Sequence, residues 1–174
     1  MWDFFQTVRH RHSVRRYEGD IPVENEKLHA ILETALAAPS AGDLQSYRIV
    51  AVKQPQRRTA LSRAAGDQAF LAEAPVCLVF VADPQRSASR YGARGAQLFA
   101  LQDATIAAAY AQLAVVAAGM ASTWVGQFDE QEVSRALELE AGLVPVALLS
   151  IGYPAELPEA TPRRRIDEVV SFIE

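Results

Sequence analysis

Arg11, Ser13 and Arg15 are the residues of this chain best suited to chemistry on a ligand. They lie in Arg11-His12-Ser13-Val14-Arg15-Arg16-Tyr17, which reads as an extended basic segment. In extended backbone, residues two apart point the same way, so two guanidiniums and a hydroxyl would face one ligand. Arg11 to Arg15 spans at most ~13 Å at ~3.3 Å per residue, which matches an elongated anion better than a single ion. Arginine presents a planar fork of donors suited to phosphate oxygens or a polarised ring edge. The alternative is a solvated basic stretch after a helix, and composition by itself favours that alternative. Arg163-Arg164-Arg165 pose the same choice. They form a solvated surface, or they complete a phosphate site that the first segment begins. Nothing in the spacing joins the two ends.

Other chemistries find little support. His10, His12 and His29 lack metal-ligand spacing with cysteine or carboxylates. Cys77 sits in the apolar run Val76-Cys77-Leu78-Val79-Phe80, the setting of an inert core thiol. There is no GxGxxG and no Walker loop. Ser40 in Pro39-Ser40-Ala41-Gly42 lacks a nucleophile-elbow pattern, and Gly92-Ala93-Arg94-Gly95 is too short for a phosphate loop. Gln102 and Asp103, on an apolar helix, read as polar groups paired in the core.

The elements that must position these residues follow from periodicity. A first helix is expected from Trp2 to Arg11, and a second from about Glu24 to Ala37, with Leu28, Ile31, Leu32, Ala35 and Leu36 recurring at three and four. Ala38 to Asp43 is a turn. Arg48 to Lys53 alternates as a strand, and Pro55 to Ala65 is a polar helix. Ala74 to Ala82 is a buried strand. Gln85 to Gln97 is polar and contains glycine, and it is expected to be a long functional loop. A long helix runs from about Leu98 to Ala118, then a strand at 122–125, a helix at 130–137 and a last strand at 144–151. The long helix spans about 30 Å at 1.5 Å per residue and is apolar on nearly every side. It is either an ordinary central core helix or one that a second copy of the chain helps to cover.

The totals agree with one α+β or α/β domain over residues 1–174. Half of the 174 residues are hydrophobic, 22% are charged and the formal net charge is -4, which argues against general nucleic-acid affinity. A single cysteine permits no internal disulfide and fits a reducing compartment, so the cytoplasm is expected. The first residues lack the order of a signal peptide. The long helix carries Gln102, Asp103, Thr105 and Gln112, so it reads as buried in protein rather than in a bilayer.

Taken in order, these segments resemble the nitroreductase family of FMN enzymes. The resemblance rests on Arg11 to Tyr17, the Pro22-Val23 helix start, Ala38-Pro39-Ser40-Ala41-Gly42-Asp43-Leu44-Gln45 and Ala74-Pro75-Val76. It continues through Leu101-Gln102-Asp103, Gly119 to Gly126, Ile151 to Glu156 and the arginine tail. It implies an α+β sandwich with a mostly antiparallel sheet flanked by helices, and a homodimer built on long central helices. It implies FMN as cofactor, NADH or NADPH as reductant, and a ping-pong cycle ending on a nitroaromatic, a quinone or a similar small acceptor. Position by position, Arg11 and Ser13 correspond to phosphate and ribityl contacts, with His12 between them. Arg15 corresponds to the cation near flavin N1 and O2, and Arg163, with Arg164, to the tail that closes on the phosphate. Pro39, Ser40 and Gln45 correspond to the turn packed on the ring, contributed by this chain or its partner. Asp67 and Gln68 correspond to polar positions near the pyrimidine edge. Backbone amides near Val125 and Gly126 correspond to donors toward N5 or O4. No catalytic side chain is implied, because the cofactor carries the chemistry.

The chain departs from the family at Asp43, where Asn is frequent, and at Ser46-Tyr47, where Pro-Trp is frequent. A carboxylate facing the flavin would disfavour negative charge there. Two other readings keep the fold. One changes the reaction, to reductive dehalogenation or flavin destruction; the other binds flavin without turnover.

Overall fold

The order of strands and helices is set by where apolar residues alternate and where they recur every three or four positions. The structure, a computed structural model, describes residues 3–173. Helix α1 (Phe4–His10) begins at Asp3, whose carboxylate accepts the Gln6 amide at 2.8 Å while the Gln6 side chain accepts the Asp3 amide. This reciprocal cap closes two of the helix's free amides. Trp2, where the sequence reading begins this helix, lies outside the described residues. Helix α2 (Asn25–Leu36) buries Leu28, Ile31 and Ala35. Strand β1 (Tyr47–Val52), helices α3 (Pro55–Ala64) and α4 (Ala69–Glu73), and strand β2 (Val76–Ala82) follow. Then come α5 (Pro84–Arg94), α6 (Ala100–Ala117), β3 (Ala121–Val125), α7 (Glu130–Leu137) and β4 (Val144–Gly152).

The four strands form one antiparallel sheet in the order β1-β2-β4-β3. The alternation of β2 sorts the core into two layers. Val76, Leu78, Phe80 and Ala82 join one cluster with α2 and α6, while Cys77, Val79 and Val81 join the other with α3, α4 and α7. β2 is buried on both faces, as a central strand covered by helices must be. This is the α+β sandwich expected of the sequence.

Helix α6 resolves the choice left open for it on one side only. Ala104, Ala107, Ala108, Ala111 and Val115 are fully buried against the sheet and α2. Its other face is at the surface of the chain. Leu101 and Tyr110 are exposed there, and Phe4 on α1 is 65% exposed beside it. Phe4, Ile31, Tyr110, Leu113 and Ala117 line an apolar groove of about 650 Å³.

One expectation fails. Gln85 to Gln97 is not a loop: α5 occupies most of it, and residues 95–99 make a single wider helical turn leading into α6. The signals that outweigh its polarity are local. The Asp83 carboxylate caps the Arg86 amide at 3.1 Å, and Pro84 occupies the first turn, where its missing N–H costs nothing. Gly95 lets the chain cross close to α5, since a Cβ there would come within 2.5 Å of the Ser87 carbonyl oxygen. The short helix α4 is also absent from the sequence reading; five residues are too few to show a helical period.

Candidate functional site

The basic segment after α1 is pinned to the sheet by alternate residues. Ser13 forms a parallel bridge with Ser122 of β3, and the Val14 amide donates to the Ser122 carbonyl at 3.2 Å. Val14 is buried in the core. Its carbonyl accepts the Thr123 hydroxyl. Tyr17 is buried too, with its hydroxyl 2.7 Å from Ser150 Oγ. Burial pushes the Tyr17 phenol up to about 12, against the opposing pull of the Ser150 and Thr123 hydroxyls. Beyond it the Glu18 amide donates to the Tyr153 carbonyl at 2.9 Å, and the Ala155 amide to the Arg16 carbonyl at 3.0 Å. The extended backbone is therefore fixed, and Arg11, Ser13 and Arg15 are left toward the surface.

Arg11 is half-buried, and its guanidinium is held below the ordinary arginine value, first by desolvation and then by the positive charge of Arg163. The two ends of the chain thus set two cations near one another. Like charges at close range repel, and a phosphate between them converts that cost into attraction. Among the described residues Arg163 has no carboxylate partner; its guanidinium donates to the Thr161 carbonyl and hydroxyl at 3.1 and 2.8 Å. Arg164 and Arg165 differ. Arg164 pairs with Glu168 at 3.3 Å and Arg165 with Asp167 at 3.0 Å. Arg163 thus lies close enough to Arg11 to act on its charge, while Arg164 pairs with Glu168.

His12 lines a small pocket with Val116, Gly119 and Met120 at the C-terminal end of α6. The Arg15 guanidinium lies 5.9 Å from the centre of the Phe70 ring. Phe70 stands in the first turn of α4, two residues after Gln68, so Asp67 and Gln68 lead into the same neighbourhood. Both are exposed, and Gln68 is held by Ser62, whose hydroxyl donates to its carbonyl at 2.9 Å. Val125 ends β3 and is buried; Gly126 follows it and is exposed. Gly126 stands four residues past Ser122, about 13 Å along the strand direction.

Pro39, Ser40 and Gln45 are elsewhere. Their turn is tied to Asp103 in the first turn of α6, whose carboxylate accepts the Ala41 amide at 2.9 Å and the Ser46 amide at 3.3 Å. Asp103 is a core polar group, as expected, and its partners are the backbone of this turn. The Ser40 hydroxyl accepts the Gln45 amide at 2.9 Å. Asp103 and Val116 are thirteen residues apart on one helix, about 20 Å along its axis. Within one chain the turn and the cationic segment occupy opposite ends of α6. Of the departures noted in the sequence, Asp43 is exposed on the turn while Ser46 and Tyr47 are buried, with Tyr47 packed into the α2–α6 core.

Three groups that fix the site were not singled out in the sequence: Tyr17, Thr123 and Ser150. A hydroxyl repeated within otherwise apolar strands is the signal they carry, because such groups need an internal partner. No cluster of histidine, cysteine and carboxylates able to hold a metal occurs among the described residues. Cys77 is fully buried and burial raises its thiol to about 12, so it is no nucleophile.

A fold with these segments at these places is known. Residues 8–69 and 54–153 match the Nitroreductase family. A protein of Thermus thermophilus named NADH dehydrogenase is 34% identical over 92% of this chain and 91% of its own length. An FMN reductase of Bacillus subtilis (strain 168), named for NAD(P)H, is 29% identical over 94% of this chain and 70% of its own. The crystal structure of nitroreductase A from Vibrio parahaemolyticus RIMD 2210633 superposes with a TM-score of 0.90 at 30% identity, covering 100% of this chain and 77% of that one. The chain belongs to the nitroreductase family.

Proposed function

We propose that residues 1–174 act as one FMN-binding unit, an FMN-dependent NAD(P)H oxidoreductase of the cytoplasm that works as a homodimer. The single observation that carries this reading is the approach of Arg163 to Arg11, two cations from opposite ends of the sequence. The residues fit FMN: Arg11 and Arg163 for the phosphate, Ser13 for the phosphate or ribityl hydroxyls, and Arg15 for the N1 and O2 edge. Bound FMN supplies hydride acceptance and donation at N5, so that NADH or NADPH and then a nitroaromatic, quinone or similar acceptor react in a ping-pong cycle.

The chain's own contributions are binding and electrostatics. A cation at Arg15 favours the negative charge that reduction builds on the ring. Asp67 and Gln68, just before the Phe70 ring that faces Arg15, suit the pyrimidine edge. Backbone amides at Val125 and Gly126 are suited to orient the reacting edge. His12 lies on the phosphate side. Arg164 is left out of this set, since it pairs with Glu168.

A homodimer accounts for the separation along α6. A two-fold axis across the uncovered face of α6 packs two such helices antiparallel, so that one copy's Pro39, Ser40 and Gln45 meet the other copy's Arg11 to Arg15. The apolar groove at Tyr110 and Leu113 supports that pairing. Purified protein is expected to carry flavin absorbance and to bleach anaerobically with NADH or NADPH. Flavin that is retained but not bleached would favour a binder without turnover. Protein that neither carries nor takes up FMN would refute the reading.

A further inference from the structure

The turn that carries Ser40 and Gln45 is held in a conformation its sequence does not prefer. Gly42, Asp43 and Gln45 have φ of 57°, 57° and 49°. Asp tolerates the left-handed region and Gln does so poorly, so three such residues within four persist only where the surroundings determine them. Five contacts do so here. Asp103, 1% exposed, takes the Ala41 and Ser46 amides from below. Ser40 takes the Gln45 amide. From above, Arg90 donates to the Gly42 carbonyl at 3.1 Å and Arg86 to the Leu44 carbonyl. Arg86 and Arg90 are one helical turn apart on α5, so one face of that helix clamps the turn. Gly42 suits its φ of 57°, and a Cβ there would displace the Tyr91 hydroxyl and the Arg90 guanidinium, the free ends of two long side chains.

We infer that Asp103 is a positioning residue, and that with Arg86 and Arg90 of α5 it braces the 40–46 turn in its left-handed form so that Ser40 and Gln45 meet the ligand at a fixed place. The inference rests on the proposed flavin site. It assigns a role to the helix that replaces the expected loop at Gln85 to Gln97: its arginines satisfy carbonyls of the turn. The brace gives the turn's binding edge its precision, since a carboxylate accepting two amides fixes both distance and direction.

The test compares Asp103→Asn and Asp103→Ala with the parent, all loaded with FMN. Asn keeps one acceptor but sets an N–H against an amide N–H, and Ala removes both acceptors. Amide hydrogen exchange at residues 40–46 is expected to speed by about tenfold in Asn and further in Ala. The visible circular dichroism of the bound flavin should change. KM for a quinone should rise and FMN retention should fall, each by up to about tenfold, with kcat within about twofold. Arg90→Ala, on an exposed helix face, is a second variant that keeps the test open should the buried substitutions fail to fold; it should move the same readouts by about threefold. If exchange, dichroism and KM stay at parent values while only Tm falls, the inference is overturned. If the parent holds no FMN, the proposed function has failed, and the exchange rates of the unloaded chain still decide whether the brace exists.

Discussion

The two ends of α6 present the same kind of surface by opposite means. At its C-terminal end, an extended backbone is pinned to the sheet so that side chains reach outward: Arg11, Ser13 and Arg15, joined by Arg163. At its N-terminal end, side chains reach inward to fix a backbone: Asp103, Arg86 and Arg90 hold the turn at residues 40–46. On the proposed reading, the first arrangement recognises by charge, and its geometry can relax by rotamer changes. On the same reading, the second recognises by shape, and its geometry depends on groups that never touch the ligand. Substitutions at the first end should therefore change affinity for an anion, and those at the second should change fit.

The comparison breaks most completely if the two ends do not meet across a dimer. Tyr110→Asp places a carboxylate on the uncovered face of α6, where burial in an apolar interface costs several kcal/mol. Light scattering should show a monomer, and FMN should be lost with the partner's turn. A monomeric variant that keeps its flavin would show that one chain is sufficient.

Next in size is the cationic end itself. Arg11→Ala should weaken FMN binding about 100-fold and Arg163→Ala about tenfold, in line with charge-assisted hydrogen bonds. Arg164→Ala should change it less than about twofold, because its partner is Glu168. Fluorescence titration with FMN checks all three. Equal effects of Arg163 and Arg164 would mean that the tail acts only as diffuse charge.

A smaller effect isolates the pinning. Tyr17→Phe should cost about 1 kcal/mol of stability by removing the shortest of Ser150 Oγ's hydrogen bonds, while its contacts with the Thr123 backbone remain. The Tyr17 phenol stands at about 12 in the fold against 10.0 for the free group. Its stabilisation is complete below pH 10 and is lost as pH rises through 12, by roughly 3 kcal/mol. The parent's Tm should fall over that window and the variant's should fall less, as followed by circular dichroism. The smallest expectation is a null rate: Cys77 should react with a thiol reagent only as the chain unfolds, because its thiol is fully buried.

How much of this was legible in the sequence follows the same division. The cationic segment drew notice because its side chains carry their own spacing, Arg11, Ser13 and Arg15, although that spacing alone did not separate a ligand cradle from a solvated stretch. The continuous apolar run of β2 and the all-round apolar character of α6 were readable directly from composition. The braced turn was not. Asp103 finds its partners about sixty residues earlier, and no periodicity reports a contact of that range. The stretch from Gln85 to Gln97 misled because polarity and glycine outweighed the Asp83-Pro84 start signal. The meeting of Arg11 with Arg163 was implied only by family resemblance, since residues so far apart in the chain carry no mutual spacing.

The central claim is that the chain's two ends grip a phosphate. The direct measurement is binding of FMN against riboflavin, which lacks that phosphate, to the parent and to Arg11→Ala and Arg163→Ala. A strong preference for FMN in the parent, weakening with added salt and reduced in both variants, is the predicted result. Equal affinity of the parent for the two flavins would contradict the account.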